Sequence, residues 1–330
     1  MSNSGIIIVL AYPETIVKVS NEWYSPLLKY AGIGKKDYVR AGHAALVLIE
    51  KGKGEICYYD FGRYITPQPM GRVRSKETDG ELDFSLEAQF TNGQMTNLEE
   101  ILSFLATQPQ FTHGVGNMYA SVCDEVDFER AKAFINEMQD KLLIRYGAFV
   151  KKASNCARFV TDVLIASTTN KVTQKKLIGL KRFTPSTIGN VVAAANDLGV
   201  FKVSETGFIE PFSSDVGKIN KECLLDPLKD FKPSSLGTMV PQKVGHAGQK
   251  AQWLSGIGSG AWFEILETDG CQVVFRRISP NGHIDVHDVF STETAVIDWN
   301  SPFEFTHHSN CKFFHIQQED KIVRFNRGIN

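Results

Sequence analysis

A continuous apolar run that begins with a histidine constrains the fold of this chain more than any other segment. Residues 43–49 read HAALVLI, which is typical of a strand covered on both faces. The polar segment EKGKGE predicts a turn after it, and ICYYDFGRY at residues 56–64 predicts the returning strand of a hairpin. Residues 5–11 are also apolar and predict a further buried strand. The first part of the chain is therefore expected to be built around a sheet.

Helix signals follow these strands. Two stretches with an apolar face follow helix-start signals, a capping-box pattern before the first and an Asp cap before the second. Two further helix starts carry Ser, Asn or Pro at their first positions. The expected helices run from Thr96 to about Ala106, from Asp127 towards Gly147, from Ser154-Asn155-Cys156 onward, and from Pro185-Ser186 through residue 196. Strands and helices together predict an α+β domain, an antiparallel sheet with packed helices.

The character of the chain changes in its last third. Residues 211–250 are rich in Pro, Ser, Gly and Lys and show little periodicity, which indicates a junction. Short strand-like runs follow Trp253, and Asn281-Gly282 predicts a hairpin turn. We therefore expect domains at residues 1–235 and 236–330, the second a small all-β, barrel-like accessory domain without catalytic side chains.

Composition excludes several classes of function. The 330 residues carry 36 basic and 37 acidic side chains, so the net charge of -1 argues against a nucleic-acid binder and gives no sign of a polybasic membrane patch. The apolar run at residues 6–11 is too short for a signal-peptide core, and no segment is long enough to span a membrane. Six scattered cysteines fit reduced thiols. These features predict a cytoplasmic protein.

Cys156 and His43 are the leading candidates for a catalytic pair. A cysteine nucleophile reacts as its thiolate, and the unpaired N–H groups and dipole at the start of a helix favour negative charge. Cys156 lies two residues after Ser154, the candidate N-cap, and its spacing from Phe159 and Val160 turns it inward. His43 heads a buried strand, where a polar side chain is costly unless it is satisfied or functional.

Asp60 is the candidate third member of this site. If Ile49 pairs with Ile56 in the hairpin, Ala45 faces Asp60, and Asp60 then lies on the same sheet face as His43. A shift of the register by one residue would bring Tyr59 or Arg63 to that place instead.

The segments GHAALVLI and SNCARFV, in this order, resemble the permuted branch of the NlpC-type papain-like superfamily, which includes proteins similar to lecithin:retinol acyltransferase. The similarity covers roughly residues 5–200, including the helix start at Thr184–Ser186, and the whole chain also resembles a group of uncharacterised bacterial two-domain proteins. The resemblance implies a circularly permuted papain-like fold with Cys156 as nucleophile, His43 as base and Asp60 as orienting residue. It also implies a small amide or a cell-wall-type peptide as substrate.

Other candidate residues are weaker. His246 follows Cys156 in the usual papain order but lies in the expected linker, and Cys311 follows the letters SN in a strand-like segment rather than at a helix start. A zinc site formed by His283, His287 and the pair at 307–308 lacks a further ligand with convincing spacing. No metal or other cofactor is therefore expected.

Residues 66–80 are polar and are expected to form a surface loop. Arg63, Arg72 and Arg74 lie in or beside this segment and could bind a substrate carboxylate, and Tyr12 is a fourth candidate for substrate binding. The expected function is a cysteine amidase or peptidase that forms an acyl-enzyme with a small-molecule or peptide substrate. An acyltransferase with the same Cys–His site, and a binding protein on the same scaffold, remain the alternatives.

Overall fold

A computed structural model describes residues 2–20, 22–232, 241, 244–293 and 297–328. The chain divides into two compact units. The first comprises Met1–Gly62, Gly71–Val73 and Phe84–Pro233, and the second comprises Arg63–Met70, Arg74–Asp83 and Ser234–Asn330. The second unit thus includes two segments from the first third of the chain. The expected boundary between residues 235 and 236 lies outside the described residues.

The first unit is built on an eight-stranded sheet with the order β10-β6-β5-β4-β1-β9-β11-β12, accompanied by two two-stranded sheets, β2-β3 and β7-β8. The strands of these sheets are β1 Gly5–Tyr12, β2 Ile16–Lys18, β3 Tyr38–Arg40, β4 His43–Glu50, β5 Ile56–Gly62, β6 Met70–Arg74, β7 Phe90–Thr91, β8 Gln94–Met95, β9 Met118–Val126, β10 Ile144–Arg145, β11 Val200–Val203 and β12 Ile209–Pro211. Of β6, only Gly71–Val73 is counted with the first unit.

In the described part of the first unit there are eight helices. They are α1 Ser25–Tyr30, α2 Leu98–Ala106, α3 Pro109–Thr112, α4 Phe128–Asp140, α5 Cys156–Ser167, α6 Lys171–Leu180, α7 Thr187–Ala194 and α8 Val216–Leu224. Asp127 and Ser186 cap α4 and α7 as expected. Helix α4 ends at Asp140 rather than near Gly147, because the chain then enters β10.

Burial of the central strands explains their nearly unbroken apolar sequences. All residues of β1 and β5, and all of β4 except Glu50, are buried. From β5 to β12 every neighbouring pair is antiparallel. Helices α4, α5 and α7 contribute side chains to the core cluster that covers one face of this sheet. The expected α+β architecture with an antiparallel sheet is confirmed.

The second unit contains a seven-stranded antiparallel sheet with the order β13-β14-β15-β16-β19-β18-β17. The strands are β13 Gln252–Ser255, β14 Gly260–Asp269, β15 Gln272–Ile278, β16 Ile284–Ser291, β17 Glu304–Thr306, β18 Phe313–Gln318 and β19 Lys321–Arg327, and a 3₁₀ helix spans Gly80–Leu82. The two edges approach each other, since the Gln252 side chain bonds the backbone of Phe303 and Phe305 at 2.9 Å each. The expected barrel is confirmed as nearly closed.

The prediction of a surface loop at residues 66–80 is wrong. Met70–Arg74 forms β6, and the Arg72 and Arg74 side chains are buried. Buried partners make this possible: the Arg74 guanidinium lies 4.1 Å from the ring centroid of Tyr64 and 3.5 Å from the Glu81 carboxylate. Arginines in a sequence therefore indicate a solvent-exposed loop only where the folded chain provides no buried aromatic ring or carboxylate to pair with them.

Candidate functional site

The hairpin of β4 and β5 brings His43 and Asp60 together. Ile49 pairs with Ile56 and Ala45 with Asp60, so the predicted register is confirmed. The Nε2 atom of His43 lies 3.2 Å from Oδ2 of Asp60. His43 is 7% exposed and Asp60 is fully buried, so water competes little for this contact.

Cys156 is the first residue of α5, and Asn155 caps that helix. The Asn155 side chain accepts a hydrogen bond of 2.8 Å from the backbone N–H of Arg158. The cap is thus one residue later than the expected Ser154, and Cys156 is in the first turn, where backbone N–H groups have no partner within the helix. Its side chain is buried, and its interaction with His43 is one of those that raise the pKa of the imidazole.

Three side chains predicted from distant parts of the sequence therefore meet at one point, with His43 between the thiol and the carboxylate. Burial disfavours the charged imidazolium, but hydrogen bonds and charge interactions with Asp60 and Cys156 outweigh burial and raise the pKa of His43 to about 9. At neutral pH the ring is then largely protonated. A protonated ring at this place can act as a general acid towards a leaving group bound beside Cys156.

The start of α5 is held by hydrogen bonds to neighbouring segments. Asn190 on α7 is fully buried, and its amide donates to the carbonyl of Ala157 at 2.7 Å. Arg158 donates to the carbonyls of Ala148 and Ala153 and so ties the preceding loop to the helix. These contacts keep Cys156 in place from both sides.

Tyr58 is a member of the site that the sequence interpretation missed. Its hydroxyl lies 3.1 Å from Oδ2 of Asp60 and 3.3 Å from the carbonyl of Thr112. Tyr58 and Asp60 are two residues apart on β5 and so share a sheet face. The alternation that selected Asp60 could also have selected Tyr58.

Tyr12 supports the other side of the histidine. Its ring stacks on His43 with centroids 6.4 Å apart and an interplanar angle of 23°. Its hydroxyl is 3.1 Å from Sδ of Met118 and 3.3 Å from the carbonyl of Leu105, and burial raises its pKa. Tyr12 is therefore a buried wall of the site, and its proposed contact with substrate stays a prediction.

The three arginines predicted to bind substrate are all buried. Arg72 belongs to the first unit together with the Cys–His pair, whereas Arg63 and Arg74 belong to the second unit. Arg74 makes the contacts to Tyr64 and Glu81 described above. Their role in substrate binding stays a prediction.

The rejected alternatives differ from the Cys156 site in their surroundings. His246 is exposed, whereas Cys311 is buried and its pKa is raised to about 12, chiefly by burial. Such a thiol is not prepared for nucleophilic attack at neutral pH. Within the described ranges, no group of three or more His, Cys, Asp or Glu side chains could hold a metal ion.

Comparison with known protein families finds a match to the part of the chain that carries the candidate site. A family model described as "Type VI secretion system effector TseH-like" matches residues 7–173, a range that contains His43, Asp60 and Cys156. A second model, described as the DUF6695 C-terminal domain, matches residues 251–328. No functionally curated protein has significant sequence similarity to the chain.

Among solved structures, the chain is similar to a type VI secretion system effector, TseH. The sequences are 15% identical, the match covers 64% of this chain and 98% of that one, and the TM-score is 0.38. A score this low carries no inference about a shared fold. The first family model, in contrast, matches just over half of the chain, and the protein therefore belongs to the TseH-like family of type VI secretion system effectors.

Proposed function

We propose that the protein is a cysteine hydrolase that cleaves an amide or peptide bond through a covalent acyl-enzyme. The observation that carries this proposal is the position of His43, whose Nε2 lies 3.2 Å from Asp60 Oδ2 and whose ring also interacts with Cys156. Membership of an effector family supports the proposal that the protein acts on its target after delivery by a secretion system. Composition had instead predicted a cytoplasmic enzyme.

Each residue of the candidate site has a distinct role in the proposed reaction. His43 takes the proton of the Cys156 thiol as the sulfur attacks the carbonyl carbon, and the carbonyl electron pair moves to its oxygen, near the backbone N–H of Cys156 at the start of α5. The carbon–nitrogen bond then breaks, and His43 gives its proton to the leaving amine. Water attacks the resulting thioester while His43 takes a proton from it; the carbon–sulfur bond then breaks, the carboxylic acid is released, and His43 returns its proton to the sulfur. Asp60 holds the ring throughout and stabilises its protonated form.

The circularly permuted papain-like arrangement is part of the same proposal. The histidine strand β4 and the Asp60 strand β5 precede the cysteine helix α5 along the chain, which is the order of the permuted branch. By that resemblance the substrate class is a small amide or a cell-wall-type peptide. Family membership in bacterial secretion effectors is compatible with a cell-wall target, and we propose cell-wall peptides as the first substrates to test.

Alkylation of cysteines at neutral pH tests the site without knowledge of the substrate. Cys271 is exposed and provides the internal control, since accessibility alone would favour it over the buried Cys156. We expect limiting iodoacetamide to label Cys156 first and the His43→Gln substitution to slow this labelling at least about tenfold, while Cys271 reacts unchanged. Faster labelling of Cys271, with no effect of His43→Gln on Cys156, would contradict an activated cysteine.

Hydrolysis is then measured as release of amines from purified cell-wall peptides. Cys156→Ala is expected to lower the rate about a thousandfold or more, because the covalent step is lost. Cys271→Ser is the matched control and should leave the rate unchanged. Transfer of the acyl group to an added amine, detected by mass spectrometry in place of the free acid, would instead identify an acyltransferase.

A further inference from the structure

Four aromatic side chains form a continuous row on the first unit, which we call the aromatic rim: Trp23, Tyr24, Phe149 and Phe183. Neighbouring ring centroids are 6.0, 5.1 and 4.8 Å apart along this row. Trp23 is 76% exposed and Phe183 is 74% exposed. Large apolar side chains clustered in this way, without cover, mark an interaction surface more often than isolated exposed residues do.

The aromatic rim is carried by the segments that lead into the catalytic elements. Phe149 lies in the loop that Arg158 ties to the start of α5, seven residues before Cys156. Phe183 precedes α7, whose first residue, Thr187, approaches Gly42 beside His43; a Cβ on that glycine would lie 3.0 Å from the Thr187 hydroxyl. A surface bound at the rim would therefore be close to the Cys–His pair.

Exposed basic side chains accompany the aromatic rim. Lys151 and Lys152 follow Phe149 closely, and Arg182 immediately precedes Phe183; all three are exposed. The acidic Glu22 beside Trp23 is mostly buried and accepts hydrogen bonds from the backbone N–H groups of residues 148 and 149, so it offers little negative charge to solvent. The rim thus combines exposed apolar groups with local positive charge.

We propose that the aromatic rim docks this protein on a membrane surface that contains anionic lipids. Trp and Tyr side chains favour the interface of a bilayer, Phe side chains enter its apolar part, and Lys and Arg are attracted by anionic headgroups. An exposed Phe that directly follows a basic residue, as Phe183 follows Arg182, fits this environment better than it fits a glycan, which presents hydroxyl groups and no hydrocarbon layer. None of the helices in the described part of the chain combines the length and the hydropathy that a membrane span requires.

Co-sedimentation of the full chain with lipid vesicles tests this proposal. We expect binding to phosphatidylcholine vesicles that contain roughly 30% phosphatidylglycerol, and little binding to phosphatidylcholine alone, because the cations need an anionic surface. Lys151→Glu should weaken binding about tenfold, since one cation contributes about fivefold and the reversed charge adds repulsion. Phe183→Ala should also weaken it about tenfold through lost apolar burial.

Two substitutions in the same unit are matched controls. Lys53→Glu reverses an exposed charge in the turn after β4, at the opposite end of that strand from His43, and Phe208→Ala removes a side chain that is 68% exposed. Both should bind like the unmodified protein. Absence of binding to the anionic vesicles, or equal weakening by the controls, would overturn the proposal. So would self-association that Phe183→Ala abolishes, since the rim would then bind a second copy.

The docking proposal does not depend on the proposed reaction. Cys156→Ser should sediment with anionic vesicles as the unmodified protein does, because the rim is unchanged. Loss of vesicle binding in Cys156→Ser would contradict the rim as the docking surface, whereas inactivity of that variant would concern only the hydrolase proposal.

Discussion

Tyr58 donates a hydrogen bond from its hydroxyl to Oδ2 of Asp60, which lies 3.1 Å away and two residues further along β5. The same carboxylate oxygen contacts His43. Both Tyr58 and Asp60 are almost completely buried, so this hydrogen bond is not exchanged with water. Tyr58 is therefore a positioning residue for the carboxylate that orients the histidine.

We expect Tyr58→Phe to lower kcat about tenfold with little change in KM, because Asp60 would hold His43 less firmly. The loss of one hydrogen bond to a buried carboxylate should also lower the free energy of unfolding by about 1–3 kcal/mol. Steady-state kinetics and urea unfolding measure the two effects. Tyr59→Phe is the control, since the Tyr59 hydroxyl contacts Lys132 instead, and an equal loss of kcat there would argue against a specific role for Tyr58.

Stability is expected to fall as the pH rises from 6.5 to 9. His43 has a pKa of about 9 in the folded protein against an ordinary value of 6.5, so its contribution is fully present below pH 6.5 and disappears as the pH rises through 9. The contribution is on the order of 3 kcal/mol. Urea unfolding over this pH range measures it. In His43→Gln this part of the pH dependence should be missing. Subtracting the stability of this variant from that of the unmodified protein at each pH therefore isolates the contribution of His43 from that of the buried cysteines.

Removing the cap of α5 should affect the nucleophile as well as the helix. Asn155→Ala is expected to cost about 1 kcal/mol of stability and to slow alkylation of Cys156, because the first turn loses the bond that fixes it. Asn170→Ala removes the corresponding cap of α6 and provides the control. It should cost similar stability, measured by urea unfolding, and leave the labelling rate of Cys156 unchanged. Equal labelling in both variants would show that the cap serves the helix alone.

The barrel unit contains a buried ion pair whose removal should be costly. Arg277 lies 2.8 Å from Asp79 and 3.2 Å from Asp285, and all three side chains are at most 1% exposed. Arg277→Met is expected to lower the free energy of unfolding by about 3–5 kcal/mol, because the buried carboxylate of Asp79 would lose its cation. Burial raises the pKa of Asp285 to about 8, so this second partner contributes less at neutral pH.

The control for this substitution is Arg327→Met, which removes a half-exposed arginine from Asp288. It should change stability by less than about 1 kcal/mol. Urea denaturation of both variants gives the comparison. If both substitutions lowered the free energy of unfolding by similar amounts, pairing with Arg277 would not be what stabilises the buried cluster.

The sequence alone determined the elements that carry the site. The apolar run after His43, the turn after Glu50 and the cysteine at a helix start predicted β4, β5 and α5, because strand alternation, turn composition and capping are local properties. The hairpin register followed as well, since a short turn between two apolar strands leaves few pairings. Strand alternation and the Asn281-Gly282 turn likewise predicted the second unit, which is a nearly closed barrel.

Only the tertiary structure decided which distant residues meet. Helix α6 and the central strand β9 were not anticipated, and residues 63–70 and 74–83 belong to the unit of the barrel although they precede it by more than 150 residues. Buried arginines look like solvated ones in a sequence, because their charged partners lie far away along the chain. Likewise, a net charge of -1 conceals the local basic residues of the aromatic rim, whose parts are separated by more than a hundred residues. Charge is summed along a sequence, whereas the local electrostatic field depends on distances that folding creates.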